Sequence, residues 1–244
     1  MTNKDQHLAN PEKSQRTSNL IGFWSAIFTA VITVVTFGFA ITAIPISGAN
    51  CLEGCIEYPY LNTVAQFPKD YSWMIPAILL MLAYVVWVVS INAYAAPHKK
   101  IFSQIGLVFA AMSSLVLVSD YFIQFSVVPI SLMSGETEGI TLLTQYNPHG
   151  IFIVLEELGY LLMSLSFLFL APVFSNKGRL GTAVQWTFII GFVLSFVALA
   201  VFSAMHGLDR KDRFEVTIIS IDWLVLIING ILLSRVFKKQ LKEE

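Results

Sequence analysis

Six stretches of this chain are long and apolar enough to be helices whose solvent is lipid. They run over about 20–46, 73–96, 101–129, 149–174, 182–205 and 216–237. A hydrocarbon layer about 30 Å thick is crossed by about 20 helical residues, and each stretch supplies that many. Strands that cross lipid are shorter and alternate in hydropathy. These runs are Leu, Ile, Val, Phe and Ala throughout. A helix also satisfies its own backbone groups where there is no water to do so. The sequence therefore predicts an all-α, polytopic integral membrane protein with six transmembrane helices, multi-pass in a cell membrane.

Composition agrees. Hydrophobic residues make up 56% of the chain and charged residues 13%, and the mean hydropathy is +0.70. A soluble domain carries about 25% charged residues. The net charge of −1 does not suit a nucleic-acid partner; the partner that composition names is the lipid bilayer. The uncharged stretch from Thr17 to Leu52 far exceeds the core of a cleaved signal peptide, about 7–15 residues, so the first helix is expected to be retained. Residues 1–18 are polar and mixed in charge, and are predicted to form a disordered cytoplasmic tail. Residues 19–238 form the membrane domain and 239–244 a second cytoplasmic tail. The two sizeable connections, 47–72 and 130–148, are too short for independent domains.

Charge placement gives an orientation. If six helices alternate, Lys4, Lys13, Arg16, Lys99, Lys100, Lys177, Arg179, Arg235, Lys238, Lys239 and Lys242 share one side. Lys69, Arg210, Lys211 and Arg213 fall on the other. Cytoplasmic loops carry the excess of Lys and Arg, so both termini are predicted to be cytoplasmic. The basic run at 210–213 is discordant. It is explained if these residues fold over the mouth of an acidic cavity. Cys51 and Cys55 lie in the first outer loop, four residues apart. That spacing is within disulfide reach on one turn; a thiol redox or metal pair is the alternative, although redox motifs more usually read Cys-x-x-Cys.

Against this apolar background, four acids stand inside the spans: Asp120, Glu156, Glu157 and Asp222. No Lys or Arg within the spans is available to pair with them. Counting inward at about 1.5 Å per residue puts all four at one level in the outer half. Polar stripes accompany them. Ser113, Asp120 and Gln124 share one helical face, as do His149, Glu156, Tyr160 and Ser164, and Asp222 shares one with Asn229. Glu157 falls about 100° away from Glu156. Ionised acids in hydrocarbon cost several kcal/mol each. Three solutions remain open: protonation within a hydrogen-bonded cluster, an aqueous cavity, or a bound cation. Ionisable residues in a membrane mark a functional site by default.

The leading expectation is thus a site that binds or transports a cation, a proton or a cationic small molecule. Asp120, Glu156 and Asp222 would supply charge, while Glu157, Tyr160 and Gln124 would orient or relay. A non-catalytic scaffold or accessory subunit, with acids that only tie helices together, is the first alternative. The second is an intramembrane metal-dependent hydrolase, with His149 and His206 joining the acids as a ligand pool. No Walker, His-Glu-x-x-His or haem-attachment motif is present. The sequence names no cofactor and leans away from an enzyme.

Overall fold

The computed structural model describes residues 3–42, 46–48 and 51–243, and among these there is no strand. The described residues form eight α-helices: α1 (Asn3–Thr42), α2 (Met74–Tyr94), α3 (Lys100–Ser126), α4 (Val128–Met133), α5 (Ile140–Leu143), α6 (Ile151–Leu170), α7 (Gly178–His206) and α8 (Lys211–Glu243). All but the short α4 and α5 are long and apolar enough to cross a membrane.

The element ends differ most from the sequence expectations upstream of the first span, near Val127 and at both ends of the sixth helix. Residues 3–18, expected as a disordered leader, continue α1 upstream. Glu12, Lys13, Gln15 and Arg16 are good helix formers that extend a helix nucleated downstream, whereas Pro11 stands inside α1 and opposes its continuation to Asn3. Residues 43–45, at the expected end of the first span, lie outside the described residues. The span ending at 129 divides at Val127, because Pro129 sits in the first turn of α4, where its missing N–H is tolerated. The sixth helix begins at Lys211 rather than 216 and continues to Glu243, so the expected tail from 239 is helical to that point. An ion pair at helical spacing, Lys239 to Glu243 at 3.5 Å, lies in its last turn.

Consecutive long helices pack side by side, and α8 returns against α1, closing a ring in which α6 also touches α8. Short connections between adjacent helices make them antiparallel. The connections collect at two ends. At one end Thr141 donates to the Pro59 carbonyl (3.1 Å) and Tyr146 donates to Asp70 (3.2 Å). Those bonds join the α1–α2 connection to the α3–α6 connection. The α7–α8 connection reaches the same end, where Asp209 lies 3.8 Å from His149. At the opposite end Lys99 donates to Ser175, tying the α2–α3 connection to the α6–α7 connection. The first of these is called the loop-rich end below. Its α1–α2 connection carries a disulfide between Cys51 and Cys55, whose Cα atoms are 5.9 Å apart.

The six long helices are not equivalent. The most apolar window of α6 has the lowest mean hydropathy, 1.8, and 61% of it is buried; the window of α7 has 2.5, and 17% is buried. The helix with the most polar content is the enclosed one, as expected when polar faces turn from lipid towards protein. Close approach to α3 encloses it further. A Cβ on Gly159 of α6 would lie 2.5 Å from Leu117 of α3, and one on Gly106 of α3 would lie 2.9 Å from Leu170 of α6. Each helix thus gives up a side chain to admit a leucine from the other, as small residues allow in membrane-type packing.

Candidate functional site

Every acid expected in a span is buried: Asp120 is 4% exposed, Glu156 1%, Glu157 6% and Asp222 0%. They do not form one cluster. Glu156 is the hub. Asp120 and Tyr121 of α3 and Glu215 of α8 stand near it. The Tyr121 hydroxyl meets the Tyr160 hydroxyl at 3.0 Å, and Trp223 Nε1 donates to Tyr160 at 3.0 Å. An indole N–H can only donate. The Tyr160 proton is therefore free to point at Tyr121.

Asp222 belongs elsewhere. Its Oδ1 accepts from Ser164 of α6 (2.9 Å) and Ser195 of α7 (3.3 Å). Ser164 lies two turns beyond Glu156, about 12 Å along α6. The expected single level for all four acids fails here because α8 starts early. Asp222 is about 16 Å from the start of its helix, not about 9 Å. Glu157, on a different face from Glu156, meets Arg210 at 3.4 Å. Arg210 also donates to Ser203 (2.9 Å) and packs over the Phe214 ring. One member of the discordant basic run thus reaches inward to an acid. Because Glu157 is buried and Arg210 only a fifth exposed, the pair is worth more than a surface bridge. The Arg210→Gln substitution is expected to lower stability by about 1–2 kcal/mol. Thermal unfolding in detergent checks this; an unchanged midpoint would show the pair to be ornamental.

The remaining expected residues separate. Gln124 is fully buried on α3, near the Tyr71 hydroxyl. His149 is 64% exposed beside Asp209, and His206 stacks on Phe202 at the end of α7. Among the described residues no three His, Cys, Asp or Glu side chains group so as to hold a metal ion. The ligand pool drawn from Asp120, Glu156, Asp222, His149 and His206 is therefore not assembled. Trp87 and Trp223 are buried in the core.

A cavity of about 440 Å³ occupies the loop-rich end. Its acids are Glu156, Glu215 and Asp70, and its aromatic wall includes Phe37, Trp73, Phe152 and Trp223. No Lys, Arg or His lines it among the described residues. Asp70 is fixed by the hydrogen bond from Tyr146 (3.2 Å). Burial pushes the Tyr146 hydroxyl well above its ordinary range, and neighbouring Tyr71 and Asp70 add to the effect. Tyr146 therefore stays protonated and a donor throughout the neutral range.

Sequence reasoning missed Glu215, Tyr121, Trp223, Asp70 and Tyr146 as site residues. Glu215 had a signal, since Glu215, Asp222 and Asn229 repeat at seven-residue spacing and continue one face. The loop residue Asp70 had none. Taken together, the described residues form a bundle with six helices long and apolar enough to cross a membrane and an acidic, aromatic-walled cavity at one end. Comparison of the chain with protein-family models, with curated proteins and with solved structures finds no match.

Proposed function

We propose that this protein is a multi-pass cell-membrane protein, both termini cytoplasmic, that binds a protonated amine with an apolar body from the outer side. The carrying observation is Glu156. The residue is 1% exposed, and among the described residues its Oε1 has no hydrogen-bond partner and the aromatic cavity it lines has no basic residue. An unpartnered buried acceptor costs about 1–3 kcal/mol, more when charged. An ammonium N–H relieves that cost and supplies the opposite charge. Rings beside an ammonium add cation–π attraction, about 0.5–2 kcal/mol each. The orientation follows from the Lys and Arg count. Under it the loop-rich end, and hence the cavity, faces outward.

Binding is favoured over translocation. Transporters of the broken-helix type hold their substrate near the midplane on interrupted helices. Here the cavity lies toward one end, and α6 and α8 run past it unbroken. The scaffold reading is favoured only at Asp222, whose two serine donors tie α6, α7 and α8 together.

Calorimetric titration of the protein in phosphatidylcholine nanodiscs tests the proposal. The probes are 2-phenylethylamine and propylbenzene, which share a shape and differ in charge. The amine is expected to bind at least about 30-fold more tightly, the worth of one partly buried charge pair of about 2 kcal/mol. Equal affinity for the two would mean the cavity reads only apolar surface.

A further inference from the structure

A second hollow lies toward the other end of the bundle, on its outer surface. It is a groove of about 540 Å³ between α1 and α2. Trp24 and Phe28 of α1 form one rim, and Leu79, Leu82 and Val86 of α2 form the other; each is 45–61% exposed. The small side chains of Ser25 and Ala83, both 9% exposed, leave the space between the rims. Among the described residues no charged side chain lines the groove. Its two hydroxyls are turned back on their own helix. Thr17 donates to the Lys13 carbonyl (2.9 Å), and Ser25 donates to the Gly22 carbonyl (3.2 Å). An occupant therefore meets apolar surface and no polar group in need of a partner. From Thr17 to Phe28 the groove follows α1 for about 16 Å, close to one leaflet's half of a hydrocarbon layer about 30 Å thick. Its head is basic. Lys13, Thr17, Leu20, Trp24 and Phe28 fall at i, i+4, i+7, i+11 and i+15 on one face of α1, and Arg16 stands one turn above Leu20. Lys13 and Arg16 are exposed, and neither enters an ion pair among the described residues. At the same end Lys99 is already bonded to Ser175.

We propose that the groove between α1 and α2 holds an acyl chain of an anionic phospholipid, whose phosphate group meets Lys13 and Arg16. This rests on the membrane reading and is independent of the amine site. The groove alone would suit a chain from any lipid. The two cations at its head make the difference, since a guanidinium and an ammonium both bond phosphate oxygens with charge assistance. Other occupants fit less well. An extended peptide would bring backbone N–H and C=O groups into a groove that has no partner for them. A second copy of the chain, docked by the same face about a two-fold axis, would bring like charges together. The proposed orientation agrees, because it puts this end at the cytoplasmic leaflet, where anionic lipids concentrate and attract basic residues beside a span.

The test is quenching of Trp24 fluorescence by lipids brominated in their acyl chains. The full chain is reconstituted in phosphatidylcholine bilayers that contain a minor fraction of brominated phosphatidylglycerol or, in a parallel series, of brominated phosphatidylcholine. The Trp24 signal is the difference between the unaltered chain and Trp24→Phe. Trp186, 55% exposed on α7 and outside the groove, reports contact with lipid in general through Trp186→Phe. Each basic residue at the head is worth about fivefold in association with an anionic lipid. Brominated phosphatidylglycerol is therefore expected to occupy the groove at least about 10-fold more strongly than brominated phosphatidylcholine, as judged from quenching against mole fraction. The Lys13→Gln/Arg16→Gln chain is expected to bring the two lipids to within about twofold. Equal quenching of Trp24 by the two lipids in the unaltered chain would overturn the proposal and leave an ordinary lipid-facing groove. So would a preference that survives loss of both basic residues, or quenching of Trp186 without quenching of Trp24. If neither lipid quenches either tryptophan, the membrane reading falls and this one with it. The comparison of lipids does not need the charge variant, so the proposal remains falsifiable even if that chain does not fold.

Discussion

The Glu156→Gln substitution is expected to weaken 2-phenylethylamine binding by at least about 100-fold, equivalent to about 2.7 kcal/mol. Glutamine keeps the shape of the side chain and a carbonyl acceptor, so the loss isolates charge. Truncating one partner of a buried, hydrogen-bonded charge pair costs about 2–5 kcal/mol, and Glu156 is 1% exposed. Stability should move the other way. The acid stands in a group with Asp120 and Glu215, and like groups crowded in a buried site oppose folding. Glutamine removes that repulsion, and its amide can donate to Glu215. The expected result is a protein that unfolds at an equal or higher temperature yet no longer takes the amine. Destabilisation together with retained binding would mean that Glu156 serves as a helix tie and that the proposed site lies elsewhere. Propylbenzene affinity should be unchanged, since the aromatic wall is not altered.

This opposition between stability and binding distinguishes Glu156 from Asp222. Both acids were legible in the sequence, and for the same reason: a carboxyl in an apolar run without a nearby base is conspicuous. Their different roles were not legible. A helix start misplaced by five residues, 216 for 211, shifts a side chain by more than a full turn. That shift set Asp222 level with Glu156 when its partners are Ser164 and Ser195, two turns deeper. It also left Glu215 in a loop. The six spans themselves were plain because hydropathy integrates over 20 residues and tolerates such errors. Contacts between side chains do not average in that way. Asp70 shows the limit: its place in the cavity depends on how two connections far apart in sequence fold against one another, and local pattern carries no trace of that. Arg210 is intermediate. Its charge violated the side preference, which marked it, and its bond to Glu157 supplies the physical reason.

The second large effect lies outside the cavity. Gly159 follows Glu157 by two residues and precedes Tyr160, and its missing side chain lets α3 and α6 approach. An added Cβ would stand 2.5 Å from Leu117 Cγ and 2.6 Å from its Cδ2. Leu117 is fully buried and has no open side to turn toward. Alanine in a helix ordinarily gains about 0.5–1 kcal/mol over glycine, but overpacking costs about 1–3 kcal/mol. The clash should win, so Gly159→Ala is expected to lower stability. Moving α3 away also parts Tyr121 from Tyr160, whose hydroxyls meet at 3.0 Å across this seam. Amine affinity should therefore fall with stability, although Gly159 does not line the cavity. Leu117→Ala alone leaves a void and costs about 2–5 kcal/mol. The double substitution relieves the clash that the first creates and partly fills the space that the second leaves. Its cost should be less than the sum of the two by about 1 kcal/mol or more, and amine binding should partly return. Thermal unfolding and calorimetry on the four chains of this cycle measure both quantities. Additive losses would show that the α3–α6 seam gives way locally, without setting the position of the Tyr121–Tyr160 pair.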